Sequence, residues 1–165
     1  MAFEIERKFL VRSQEWRTLA TAQTRVRQAY LAGGDKSSTR VRIKDDVAAS
    51  LTIKARGVGL RRLEVEVPIS LIDGEALLSL RQSSLIEKIR HEVPWQRKTW
   101  EIDVFAGDNA GLIVAEIELG DEREVFERPP WLGPEVTGQT RYYNSALAQR
   151  PYATWQKTAG LLGTG

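Results

Sequence analysis

Charged residues recur at every second position through six separate stretches of this 165-residue chain, and within most of them the sign is constant. Glu4, Glu6 and then Lys8 alternate with Ile5 and Arg7. Arg40 and Arg42 alternate with Val41 and Ile43, and Glu64 and Glu66 with Leu63, Val65 and Val67. Lys88 and Arg90 flank Ile89, Glu101 and Asp103 flank Ile102, and Glu116 and Glu118 flank Ile117. A β-strand sends alternate side chains to opposite faces, so each set shares one face. Grouped like charges repel unless something of opposite sign sits between them. Carboxylate stripes beside guanidinium and ammonium stripes suit a polyanion held together with a divalent metal.

The near-cancellation of 24 basic and 22 acidic residues leaves a net charge of only +2, so the information lies in where the charges sit. A chain of this length predicts one domain, spanning 1–165, with room for a real core. The absence of Cys excludes disulfides and thiolate zinc sites and fits a reducing compartment. Glu4 and Glu6 interrupt the N-terminus where a signal peptide needs an apolar stretch, and no apolar run reaches membrane-spanning length. The expected address is the cytoplasm.

Alternation and turn residues predict eight strands, near 3–11, 25–32, 38–44, 49–55, 61–67, 85–94, 97–105 and 112–119. Gly33-Gly34-Asp35, Asp45-Asp46, Gly57-Val58-Gly59 and Gly107-Asp108-Asn109 mark turns, and Pro94 ends the sixth strand. Such short connections imply antiparallel pairing. Helices are predicted at 13–22, capped by Ser13, at 70–82, starting at Ser70, and at 140–157, broken by Pro151. The closing Leu-Leu-Gly-Thr-Gly is expected to fray. Eight antiparallel strands can close on themselves and abolish their edges.

Which face points inward decides the function. An ordinary barrel fills its interior with the apolar face. In the inverted arrangement a charged interior forms a tunnel and helices cover the apolar exterior. Single-sign pairs in six strands favour a shared ligand site, because a merely solvated face prefers mixed signs. Hard carboxylate oxygens bind Mg²⁺ or Mn²⁺, and arginine forks and lysine ammonium groups grip phosphate. A triphosphate needs both halves of this apparatus. Gly33-Gly34 lacks the Gly-Lys-Ser/Thr of a phosphate loop. The single histidine, His91, lies on the apolar side of its strand and reads as a packing or surface residue. The five tryptophans read as packing residues too.

Glu-Ile-Glu-Arg-Lys-Phe-Leu at 4–10 resembles the ExExK opening of the CYTH superfamily, the triphosphate tunnel metalloenzymes. The likeness continues in order through Arg40-x-Arg42, Lys54, Arg62-x-Glu64-x-Glu66, Lys88-x-Arg90, Asp103 and Glu116-x-Glu118. Val136-Thr137-Gly138 and Tyr143-Asn144 are similar to the short bacterial members. The resemblance implies an α+β fold: a closed eight-stranded antiparallel β-barrel with a charged interior, covered by several helices. It implies a metal-dependent triphosphatase, most like the bacterial inorganic triphosphatases. By that resemblance Lys8, Arg40, Arg42, Lys54, Lys88 and Arg90 bind phosphate oxygens, assisted by Arg62. Glu4, Glu6 and Glu118 hold one Mg²⁺ or Mn²⁺, while Asp103 and Glu116, with Glu64 or Glu66, hold a second. Glu101 is expected to orient a cation, and Arg141 to gate the tunnel mouth. A small-molecule triphosphate is the expected partner, with no nucleic acid or membrane, and a homodimer is compatible with the pattern. The competing readings are an adenylate cyclase of the same superfamily, a thiamine triphosphatase, a non-catalytic polyphosphate- or nucleic-acid-binding module, and a barrel with its charges outward. At least eight carboxylates on the cationic faces oppose nucleic acid.

Overall fold

The computed structural model describes residues 3–57 and 60–155. Nine strands run in the order β1 (Phe3–Val11), β2 (Ala22–Gly33), β3 (Ser37–Lys44), β4 (Ala48–Ala55), β5 (Arg61–Ile69), β6 (Ile86–Trp95), β7 (Lys98–Phe105), β8 (Ile113–Glu118) and β9 (Leu132–Glu135). All pairings are antiparallel, and the sheet order is β5-β4-β3-β2-β6-β7-β8-β1-β9. A further pairing of Phe3, Glu4 and Ile5 with Leu63, Arg62 and Arg61 joins β1 to β5 and closes eight strands into a barrel. Closure removes the exposed edges that open sheets must protect.

The turns follow their residues. Asp45 and Asp46 both adopt left-handed backbone (φ 52° and 57°), with Val47 N–H donating to the Lys44 carbonyl at 3.1 Å. That is a two-residue hairpin whose twist matches its strands. Of the Gly57-Val58-Gly59 turn, residues 58 and 59 lie outside the described residues, as do 156–157 of the last predicted helix and the tail 161–165.

β9 has no counterpart among the expected strands. It pairs with Phe9 and Val11 of β1, where β5 has already left that edge. Gly133 permits this approach, since a Cβ there would stand 2.9 Å from the Leu10 carbonyl oxygen. The predicted helix 13–22 is a short 3₁₀ turn over Glu15–Leu19. Ser13 Oγ accepts the Glu15 N–H only at 3.4 Å, and Thr21 N–H already donates to the Glu92 carbonyl, so β2 begins at Ala22. Helix α1 (Leu71–Leu78) starts as expected, with Ser70 Oγ accepting the Asp73 N–H at 3.0 Å. The C-terminal region divides into a 3₁₀ turn (Thr140–Tyr142), α2 (Asn144–Gln149) and a helical turn at 152–155, interrupted at Pro151.

Apolar burial lies mostly outside the barrel. α1 covers Ala29, Val41, Ile43 and Ala49 of β2–β4 through Leu78. Trp16 and the segment before β9 cover Phe9, Val93, Trp100, Ile102, Ala115 and Ile117, with Trp131 wedged between. The third cluster differs. Ile86, Phe105 and Val114 share strand faces with Lys88, Asp103 and Glu116, and they pack with Tyr142, Leu147 and Ala148 of the C-terminal segment. One end of the charged interior is therefore finished with an apolar floor. Among the described residues no helix is long and apolar enough to cross a membrane.

Candidate active site

The strand ladders stack the charged side chains into two walls. On β1, β8 and β7, Glu6 stands opposite Glu118 and Glu116 opposite Glu101. Directly opposed like charges destabilise a sheet unless a cation lies between them. On β3 and β6 stand Arg40, Arg42, Lys88 and Arg90, with Lys54 of β4 opposite Glu64 and Arg62 of β5 opposite Glu4. Between the walls lies a cavity of about 580 Å³, lined by Glu4, Glu6, Lys8, Arg40, Arg42, Lys54, Arg62, Glu64, Lys88, Arg90, Glu101, Glu116 and Glu118, with Tyr30, Arg56, Thr137, Tyr143 and Asn144 among the others. This volume suits a small polyanion with its counter-ions and water.

Some charges are matched and some are not. Asp103 is sealed from solvent and accepts from Lys88 Nζ at 2.7 Å and from Arg90 Nε and Nη2 at 2.7 and 2.9 Å. Burial opposes its ionisation, but Arg90 and Lys88 outweigh that and hold the carboxyl far below the usual range. Glu116 lies 3.4 Å from Lys8 Nζ and 3.8 Å from Arg90, which overcome burial and bring it down to about 2. Arg90 also reaches Glu101 at 2.9 Å.

The remaining groups lack full partners. Burial, reinforced by Glu116, pushes Glu6 up to about 8, although Lys54 Nζ lies 3.7 Å away. Burial also raises Glu4, despite its contact with Lys54, and Glu101. Opposite them, burial and the neighbouring Arg40 and Arg90 push the Arg42 guanidinium down to about 10. Burial brings the Lys88 ammonium down to about 7 in spite of Asp103. Among the described residues neither Arg42 nor Arg62 has a carboxylate within ion-pair distance, and the buried Arg40 Nε has no hydrogen-bond partner. One wall is short of positive charge and the other of negative charge.

The structure brings twelve of the fourteen expected site residues to the cavity: Lys8, Arg40, Arg42, Lys54, Arg62, Lys88 and Arg90, with Glu4, Glu6, Glu64, Glu116 and Glu118. The other two, Asp103 and Glu66, do not line it. Both Asp103 oxygens are taken by Lys88 and Arg90, and Glu66 is exposed and accepts from Ser50 and Thr52 at 3.2 and 3.3 Å. Arg141 also lies off the cavity, stacked 5.0 Å from Tyr142 and Trp155. His91 stacks edge-on against Trp16 on the outer surface, where burial and Arg17 lower its pKa. Among the described residues no three carboxylates stand close enough to enclose a metal as they are; Lys54 sits against Glu4 and Glu6. The donor set nonetheless fits a hard divalent cation, being all carboxylate and deficient in positive charge at Glu4 and Glu6.

The CYTH domain model matches residues 2–152. The chain belongs to the CYTH family. It is 40% identical over 158 residues to the inorganic triphosphatase of Acetivibrio thermocellus, covering 95% of this chain and 100% of that protein. It is 37% identical over 150 residues to the inorganic triphosphatase of Nitrosomonas europaea, covering 88% and 96%. A crystal structure of an inorganic triphosphatase superposes with a TM-score of 0.65 at 33% identity, covering 88% of this chain and 97% of that one. The CYTH barrel also uses residues that charge patterning does not single out. Gln28 is fully buried on the inner face, accepting from Arg42 Nε at 2.7 Å, and Thr137 bonds to both the amide and the carbonyl of Lys8. Both are neutral, so alternation of charge carries no trace of them.

Proposed function

We propose that this CYTH protein hydrolyses inorganic triphosphate to pyrophosphate and phosphate, with Mg²⁺ or Mn²⁺ as its cofactor. The observation that carries this reading is the complementary imbalance of the two walls: under-neutralised carboxylates face under-neutralised guanidinium groups across one cavity. A triphosphate with its metal supplies both missing signs at once. The names of the relatives support the same substrate.

Arg40, Arg42 and Arg62 grip the phosphate oxygens with guanidinium forks, and Lys8, Lys54 and Lys88 add point charges. Water adds to a terminal phosphorus and loses a proton to the product phosphates or solvent, the anhydride P–O bond breaks, and the leaving pyrophosphate keeps the bridging electron pair. As negative charge grows on the bridging oxygen, the preorganised cations offset it without reorganising. Glu4, Glu6 and Glu118 are the ligands we assign to the divalent ion, which when bound neutralises phosphate charge and lowers the pKa of water. Glu116 and Glu64 are the lining carboxylates left for a second ion. Asp103 is better read as the counter-ion that fixes Lys88 and Arg90. Absence of cysteine agrees with action in the reducing cytoplasm.

The test is phosphate release from tripolyphosphate, ATP and thiamine triphosphate, each with Mg²⁺, Mn²⁺ or a chelator. Release from tripolyphosphate that vanishes on chelation is expected. Cyclic AMP formed from ATP, with tripolyphosphate left intact, refutes the proposal.

A further inference from the structure

Three consecutive residues of the C-terminal segment meet cations from three different strands. The Tyr142 carbonyl lies 3.4 Å from Lys8 Nζ. The Tyr143 hydroxyl accepts from Arg62 Nη2 at 2.7 Å, and its ring lies 4.7 Å from the Arg62 guanidinium and 5.3 Å from Lys8 Nζ. Asn144 Oδ1 accepts from Lys88 Nζ and from Gln28 Nε2, each at 3.1 Å. Gln28 in turn accepts from Arg42 Nε. The donors at both ends of this chain dictate the amide orientations. Arg42 can only donate, so Gln28 must present its oxygen to it and its NH₂ to Asn144. Asn144 must then present oxygen, which is also what the Lys88 ammonium needs.

Every acceptor in this set is uncharged, in contrast to Asp103, which holds Lys88 and Arg90 by neutralising them. A neutral acceptor fixes where a cation points while leaving its charge for an incoming anion; this holds in full for Arg62 and Arg42, whereas Lys88 already shares Asp103 with Arg90 and is oriented by Asn144 without a second negative charge. The segment is itself anchored, because Tyr142 and Leu147 are buried in the apolar floor and Leu147 N–H donates to the Tyr143 carbonyl at 2.9 Å. We propose that the Tyr143–Asn144 step is a positioning element: it aims Arg62, Lys88 and, through Gln28, Arg42 at the triphosphate, so that affinity is set from the C-terminal segment and not by the strands alone. The inference rests on the triphosphate reading above.

Asn144→Asp is the decisive variant, since it keeps size and reach but places a second carboxylate on Lys88, in addition to Asp103. Binding of the imido analogue of tripolyphosphate, which cannot be hydrolysed, is measured by calorimetry with Mg²⁺ for wild type, Asn144→Asp, Asn144→Ser and Tyr143→Phe. Thermal midpoints, KM and kcat for tripolyphosphate are taken alongside. Asn144→Asp is expected to weaken binding about tenfold or more, equivalent to about 1.4 kcal/mol, at an unchanged or higher midpoint, and to raise KM more than it lowers kcat. Asn144→Ser and Tyr143→Phe, which remove a hydrogen bond but add no charge, are expected to weaken binding by roughly threefold to tenfold. Wild-type affinity in Asn144→Asp overturns the inference, as does a loss of binding in all three that only tracks a falling midpoint. If wild type binds the analogue but releases no phosphate from tripolyphosphate, the hydrolase reading fails and the binding series still decides the positioning role. If wild type does not bind the analogue, both fall.

Discussion

Glu6→Gln should stabilise the metal-free fold at alkaline pH while removing metal-dependent activity. Burial and Glu116 lift the Glu6 carboxyl from 4.5 to about 8. At about 1.4 kcal/mol per pH unit, that corresponds to an upper bound of roughly 5 kcal/mol against the ionised form. Its side chain keeps 29% exposure and Lys54 lies 3.7 Å away. Solvent and that ammonium therefore reduce the figure, and a gain of about 1–3 kcal/mol is expected. The sign follows from proton counting. Between pH 4.5 and about 8 the folded chain holds a proton that the unfolded chain has released, so stability falls as pH rises through this window and levels off above it. The glutamine variant lacks that loss, so its advantage is absent below the ordinary carboxylate range and complete above about 8. Urea unfolding of both proteins with a chelator, from pH 4 to 9, reads this directly. Adding Mg²⁺ or Mn²⁺ should then stabilise wild type, by about 2.7 kcal/mol at a hundredfold excess over Kd, and the variant much less. A variant that is less stable than wild type at high pH, or whose advantage does not change with pH, refutes the reasoning.

Arg42→Ala should raise the KM for tripolyphosphate by about tenfold or more, because its Nε is held by Gln28 and its guanidinium has no carboxylate partner among the described residues; steady-state kinetics with metal in excess checks it. Glu135→Gln should cost about 1 kcal/mol at neutral pH by breaking the paired bonds from Arg7 Nε and Nη2 at 2.8 and 2.6 Å, which tie β9 to β1. Hydrogen bonding from Arg7 depresses the Glu135 pKa, so this contribution is present above the ordinary carboxylate range and lost as pH falls below that range through the depressed folded value; the gap between wild type and variant in denaturant should shrink on acidification past the ordinary range. Gly74→Ala should destabilise by about 1–3 kcal/mol, since the new Cβ would stand 2.6 Å from Ala49 Cβ under α1, while phosphate release per folded molecule stays at the wild-type level.

The barrel was legible because a period of two is a local property of the chain, and six strands carried it in charges that are hard to misread. Register was not legible, and register decides what each charge does. Glu101 and Asp103 are neighbours on one face of β7, yet Arg90 stands opposite Asp103, so Asp103 is consumed by Lys88 and Arg90 while Glu101 lines the cavity. Glu64 and Glu66 divide the same way: Lys54 faces the first and Thr52 the second, which leaves Glu66 bonded to hydroxyls outside the lining. β9 was invisible because Leu132–Glu135 is too short to show alternation and contains both Gly133 and Pro134. Gln28 escaped for a more general reason, and Asn144, though part of the Tyr143-Asn144 resemblance, carried no role there. They meet only after β2 and the C-terminal segment have been brought together across the barrel, and a neutral side chain leaves no charge pattern behind. The residues that carry charge in such a site can be read from the chain, whereas those that aim the charge without cancelling it become readable only once the fold shows which cation each one touches.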